Sequence, residues 1–238
     1  MKKGVRSIYD SWWAHTKHPY NVLNDALSQS VVKGKVVLEQ GCGYTAPLLQ
    51  QYRDRGAELI GVDVVDFEIE ESGMQLIKAN IEDLPLPDES VDVVFSRSVM
   101  EHVGDPGRVF EEVFRVMRPG GKWIFLTANR WDYVSVVSRL VPNKFHGALV
   151  HHTEGREEKD VFPTVYKSNS YGQIKALAKQ SGMSVEKFEY LGQHPAYFAF
   201  NRCLYWLASV YEKMILKVNA FRGVRGWLLV ELRKPELK

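Results

Sequence analysis

The stretch VVLEQGCGYTAP, Val36–Pro47, decides how the rest of the chain is read. A short apolar, β-branched run leads into two glycines, and beyond Pro47 the residues Leu48, Leu49 and Tyr52 recur close together. That order predicts a strand over Lys35–Gln40, a flexible turn and a helix over Pro47–Arg55. Gly41 and Gly43 permit a tight turn and close approach of the backbone to a ligand. A second strand is expected at AELIGVDV, Ala57–Val64, and its Asp63 lies 20 residues beyond Gly43. A carboxylate at that place can accept hydrogen bonds from two ribose hydroxyls of an adenosine-containing cofactor. The loop has no GxxxxGK[ST] pattern, and Thr45 stands where a full dinucleotide loop has its third small residue, so phosphate cradling and nicotinamide binding are disfavoured.

Working outward, further strands are expected at Met74–Asn80, Val91–Ser96, Lys122–Ala128, Met183–Leu191 and Trp227–Arg233. VDVVFS is almost continuously apolar, as a strand covered on both faces of a parallel sheet should be. Helices are expected over residues 22–32, from Asp105 and Pro106 up to the stop at Pro119–Gly121, over Tyr171–Ser181 and within Ala196–Val218. In the second of these, Val109, Phe110, Val113, Phe114 and Met117 keep helical spacing. The alternation defines an α/β chain, read as a single domain over residues 1–238.

Composition removes other classes. Thirty-one basic against 29 acidic side chains leave a formal charge of +2, which supplies no broad attraction to nucleic acid. Two cysteines, Cys42 and Cys203, exclude a disulfide framework or a four-cysteine zinc site and suit a reducing compartment. The N-terminus lacks the apolar core of a secretory signal, and Pro195–Val218 is interrupted by Asn201, Arg202, Glu212, Lys213 and Lys217, so no conventional transmembrane helix is expected. A cytoplasmic location, with peripheral contact at a membrane surface as an option, follows as the expectation.

Taken together, VLEQGCG (Val37–Gly43), GVD (Gly61–Asp63), ANIEDLPLPDESVDVVFS (Ala79–Ser96), EHV (Glu101–Val103) and RVMRPGGKWIFLT (Arg115–Thr127) resemble the class I S-adenosylmethionine-dependent methyltransferase family. The resemblance is closest to its small-molecule branch of ubiquinone, menaquinone and lipid or sterol enzymes. It implies a three-layer αβα Rossmann-like fold, with a seven-stranded mixed sheet of order 3214576 and an antiparallel last strand. It further implies S-adenosyl-L-methionine as cofactor, S-adenosyl-L-homocysteine as product and a small-molecule or lipid-like acceptor. By the same resemblance Glu39, Gly41, Cys42 and Gly43 surround the methionine portion, Asp63 holds the ribose, Val64, Ile81 and Glu82 border adenine, and Ser96, Arg97 and Ser98 line the approach to the methyl group. Asn80 departs from the usual acidic residue, and Thr45 from the usual glycine.

The acceptor side is less legible. A polar, histidine-rich stretch over residues 129–170 reads as an acceptor cap, and His102, His146, His151 and Tyr166 are the catalytic candidates, with Tyr133, His152 and Asp160 as further polar groups. No HExxH array accompanies the histidines, so no metal site is expected. Cys42 reads as a small loop side chain rather than a nucleophile. Residues 1–34, rich in aromatics from Tyr9 to Tyr20, are either a lid over the cofactor or a core seam. The helical insertion over residues 195–219, with Trp206 and Tyr211, packs inside the monomer, meets a partner or membrane surface, or lines an acceptor tunnel. A cofactor-binding regulatory protein without turnover is the alternative function.

Overall fold

A computed structural model describes residues 3–69, 73–140 and 162–236. The helices are α1 (Lys3–Trp12), α2 (Pro19–Ser30), α3 (Pro106–Val116), α4 (Tyr133–Leu140), α5 (Tyr171–Ser181) and α6 (Arg202–Lys217). The strands are β1 (Val36–Gln40), β2 (Glu58–Asp63), β3 (Gln75–Lys78), β4 (Val91–Arg97), β5 (Met117–Ala128), β6 (Ser184–Leu191) and β7 (Trp227–Arg233). They form one seven-stranded sheet of order β3-β2-β1-β4-β5-β7-β6. β7 is antiparallel to both neighbours and the other pairings are parallel. This is the Rossmann-like methyltransferase architecture that the motifs imply.

The element ends have local causes. Asp105 caps α3 by accepting from Arg108 N–H, with Pro106 preorganised in the first turn. Ser170 caps α5, whose C-cap Gly182 adopts φ +84°. Asn201 accepts from the N–H groups of Cys203 and Leu204, so α6 begins only at Arg202, and Ala196–Phe198 is a separate 3-10 turn. The expected single helix over the late segment is thus broken at its cap.

Two other expectations are corrected. Leu49–Arg55 is a 3-10 helix rather than the predicted α-helix, short and stopped by Gly56 at φ +69°. Pro119–Gly121, read as a turn, belongs to the extended β5, where a large irregularity separates the pairs Val91–Met117 and Val93–Lys122. The reason is a distant partner. Gly120 N–H donates to the Lys234 carbonyl and Lys234 N–H to the Gly121 carbonyl, while the Lys234 ammonium binds the carbonyls of Phe114 and Met117.

The sheet separates two cores. On one face Phe110, Val113, Trp123, Phe125 and Ile174 join α3 and α5 to the strands. On the other, Leu23, Leu27, Leu49, Tyr52 and Phe95 join α2 and the 3-10 helix. A third cluster joins α1 to α6 through Val5, Trp13 and Tyr205. Because β1, β2, β4 and β5 are parallel, their carboxyl ends meet at one edge, which is where open α/β sheets bind ligands.

Candidate cofactor and acceptor site

At that edge the glycine loop is shaped by backbone need. Gly41 has φ +69°, and a Cβ there would lie 2.3 Å from Val99 Cγ2; Gly43 has φ +73° and open space around its Cα. The first glycine allows close packing on the loop after β4, and the second leaves a bare backbone facing outward. Asp63 fastens the loop. Its Oδ2 accepts from Gly43 N–H at 2.7 Å, and its Oδ1 accepts from Val64 N–H at 2.7 Å and Val65 N–H at 3.3 Å. A carboxylate offers about four lone-pair sites, so one donor can join without disturbing the loop. A grip on two ribose hydroxyls requires one of these backbone bonds to yield.

Glu39, one strand over, is buried, and its Oε2 has no hydrogen-bond partner. Burial pushes its carboxyl up to about 8, against the opposing pull of Arg97 and the Leu49 N–H; nearby Asp63 adds to the rise. A carboxyl raised by burial beyond what Arg97 offsets, with one oxygen unpartnered, suits a positively charged partner. The orphaned oxygen, the bare Gly43 backbone and the remaining Asp63 acceptor fit the ammonium, main-chain-like and hydroxyl groups of an aminoacyl nucleoside.

The remaining cofactor candidates divide. Val64 is exposed beside Asp63. Cys42 turns inward, and a Cβ on Gly61 would lie 2.8 Å from its Sγ; burial first, then the charges of Glu39 and Asp63, drive the thiol upward. Only its backbone remains for a ligand, and it is no nucleophile. Ile81 sits within the core cluster of α3. Glu82 Oε1 accepts from Asp105 N–H at 2.9 Å, so this carboxylate steadies the entry to α3 rather than standing free. Ser96 is buried between Gln40 of β1 and Phe125 of β5, its Oγ unpartnered. Arg97 lies over the Tyr20 ring, 4.7 Å from its centroid.

Of the catalytic candidates, His102 is held by its Nδ1, 3.0 Å from the Pro163 carbonyl. Since a carbonyl only accepts, Nδ1 donates this hydrogen bond. Tyr166 is buried at φ +50°, with its hydroxyl 3.3 Å from Ser138 Oγ. Its hydroxyl thus meets α4. His146, His151, His152 and Asp160 lie outside the described residues. Among the described residues no group of three or more His, Cys, Asp or Glu is placed to hold a metal ion.

Several contacts at this edge have no signal in local spacing. Tyr20 reaches across from α2, its hydroxyl 3.4 Å from Ser98 Oγ and its ring edge-on to Trp227; Ser98 itself is strained at φ +58°. Gln40, next to Gly41, has both side-chain polar atoms buried and unpartnered. Glu101, Thr127 and Asn169 form a buried chain through bonds of 2.7 Å. Beyond β5, Gln193 Nε2 donates to both oxygens of Asp132 at 3.0 Å. Burial lifts Asp132 to about 6 and, with help from Asp132, Glu212 to about 8. Their partners are tens of residues away in sequence, so only a fold brings them together.

The fold is that of the Rossmann-like methyltransferases, and the chain is similar to class I S-adenosylmethionine-dependent methyltransferases over the strands that carry the glycine loop and Asp63. The family described as "Methyltransferase domain" matches residues 38–125. A "Probable S-adenosylmethionine-dependent methyltransferase" of Mycolicibacterium smegmatis is 39% identical over 104 residues, covering 41% of this chain and 39% of that protein. A "Ubiquinone biosynthesis O-methyltransferase" of Pseudomonas fluorescens is 34% identical over 110 residues, 41% of this chain and 46% of that protein. The chain thus spans less than half the length of these curated relatives. The crystal structure of an S-adenosylmethionine dependent methyltransferase from Mesorhizobium loti superposes with a TM-score of 0.57 at 17% identity, over 92% of this chain and 98% of that one.

Replacing Asp63 by Ala tests the loop geometry directly. The variant should lose the Gly43 tether and an acceptor for the ligand, weakening S-adenosylhomocysteine by roughly tenfold or more in calorimetry. Unchanged affinity would reject the assignment.

Proposed function

We propose that the protein transfers the methyl group of S-adenosyl-L-methionine to a small organic or lipid-like acceptor. The observation that carries this reading is the buried Glu39 carboxyl, whose Oε2 has no hydrogen-bond partner, beside a glycine loop that Asp63 fastens. Glu39 would pair with the ligand's ammonium, the Gly41–Gly43 backbone would follow its amino-acid portion, and Asp63 would take a ribose hydroxyl. When bound, the cofactor supplies an electrophilic methyl on a sulfonium. Methyl transfer needs in-line placement of the acceptor, and a base only if the acceptor must lose a proton. Tyr20, Arg97 and Ser98 would shape that approach, and Nε2 of His102, whose Nδ1 is engaged by the Pro163 carbonyl, would receive a proton where one is released.

The test has two arms. Calorimetry should give saturable binding of S-adenosylhomocysteine, and incubation of the labelled cofactor with phenolic, carboxylic, amine and sterol-like acceptors should yield a methylated product. Absence of binding would overturn the whole reading. Binding without turnover across the panel would favour a regulatory protein that retains the cofactor site.

A further inference from the structure

We propose that the outer face of α6, continued through residues 218–222, docks on an anionic lipid surface. The helix is inside out. Tyr205, Ser209, Glu212 and Ile215 face the protein, whereas Leu204, Trp206, Leu207, Val210 and Met214 face solvent. Phe200 precedes this row and Val218 and Phe221 extend it, so that eight of the 15 exposed large apolar side chains among the described residues lie between Phe200 and Phe221. Solvent-facing apolar groups at this density mark a binding surface rather than ordinary exposure.

The charges select the occupant. From Ala196 to Gly226 the sequence contains Arg202, Lys213, Lys217, Arg222 and Arg225, and Glu212 as its one acid. Glu212 has no exposed surface. Lys213 is drawn inward over the Trp13 ring and to Thr16, and Arg225 binds the carbonyls of Tyr190, Ile215 and Leu216. Arg202, Lys217 and Arg222 remain exposed. The segment therefore shows solvent only positive charge, although the whole chain is nearly neutral. A second copy meeting this face by a two-fold axis would set bases against bases. Anionic headgroups instead take the bases, while Trp206, Leu207 and Met214 enter the headgroup–acyl boundary, as interfacial helices do. Spanning is excluded for this element, since no helix among the described residues is long and apolar enough to cross a membrane. The inference stands independently of the methyl-transfer reading.

Flotation of the full chain with phosphatidylcholine vesicles, with and without phosphatidylserine, tests it at low and high salt. Binding to the anionic vesicles is expected, reduced by salt and weak on the neutral ones. The double variant Trp206→Ser, Leu207→Ser should cut partitioning by about tenfold or more. Lys217→Glu with Arg222→Glu should remove the anionic preference. Both variants should keep the parent's melting temperature and affinity for S-adenosylhomocysteine, because none of these side chains touches that site. No vesicle binding, equal binding to both vesicle types, or binding untouched by either variant would overturn the proposal. So would self-association in sedimentation that Trp206→Ser dissolves while vesicles are ignored.

Discussion

Glu39→Gln should make the protein more stable at pH 7 and at the same time a poorer binder of S-adenosylhomocysteine. The unfolded carboxyl titrates near 4.5 and the folded one near 8. Between those values the folded chain holds a proton that the unfolded chain has released, so stability falls as pH rises through the window and the full penalty is present above it. At pH 7 the penalty is about 3 kcal/mol. Glutamine is neutral in both states and escapes it. For a chain of this size the gain corresponds to roughly 5–10 °C in melting temperature, vanishing as the pH approaches 4.5. Binding should move the other way. An ammonium opposite a carboxylate is a charge-assisted pair, and its loss should weaken the ligand about 10–100-fold. Affinity in the parent should also rise towards pH 8, because binding a cation must expel the Glu39 proton. Melting curves and calorimetry over this range check both halves. A flat stability difference would deny the buried neutral carboxyl, and an unchanged affinity would deny its role as ligand partner. The opposition of the two effects is the expected mark of a site kept unstable for function.

Trp13→Ala should cost about 3–5 kcal/mol, the range for removing a large aromatic from a packed interior. Trp13 is 1% exposed, packs with Val5 and Tyr205, and donates from its indole nitrogen to Ser209 Oγ at 3.1 Å. Its loss empties the seam between the N-terminal segment and α6, strands the Ser209 hydroxyl and removes the ring beneath Lys213. The expected result is a fall in melting temperature of about 10 °C, and deletion of residues 1–20 should destabilise at least as much. A deletion that melts like the parent but binds S-adenosylhomocysteine poorly would instead make this segment a lid alone. Nearby, His18 and His194 stack edge to face, 5.3 Å apart, and burial together with His18 and Lys213 holds His194 down to about 4. The seam is therefore built for two neutral rings.

The central half of the fold was open to reading because its signals are local. A β-branched run followed by Gly41 and Gly43 needs no distant partner to be recognised, and Trp227–Arg233 was placed to the residue. The readings that failed depended on something remote. Pro119–Gly121 joins β5 because Lys234 ties it there. The bonds from Tyr166 to Ser138 and from Asp105 N–H to Glu82 are remote in sequence as well and leave no local pattern. Tyr20 gave no sign of approaching Ser98, because a separation of 78 residues leaves no spacing to read.

By itself, the sequence determined the α/β alternation, the loop that a ligand can approach and the carboxylates at the ends of the first two strands. These follow from period, backbone freedom and residue chemistry within short windows. Only the tertiary structure decided which charges are paired and which faces are covered. It buried Glu39 with one oxygen unpartnered, spent most of Asp63 on its own loop, and joined the early aromatics to the late helix. It also turned Ser209 and Glu212 inward and Trp206 and Leu207 outward, an orientation that amphipathic spacing alone cannot assign, because burial depends on what the rest of the chain brings alongside.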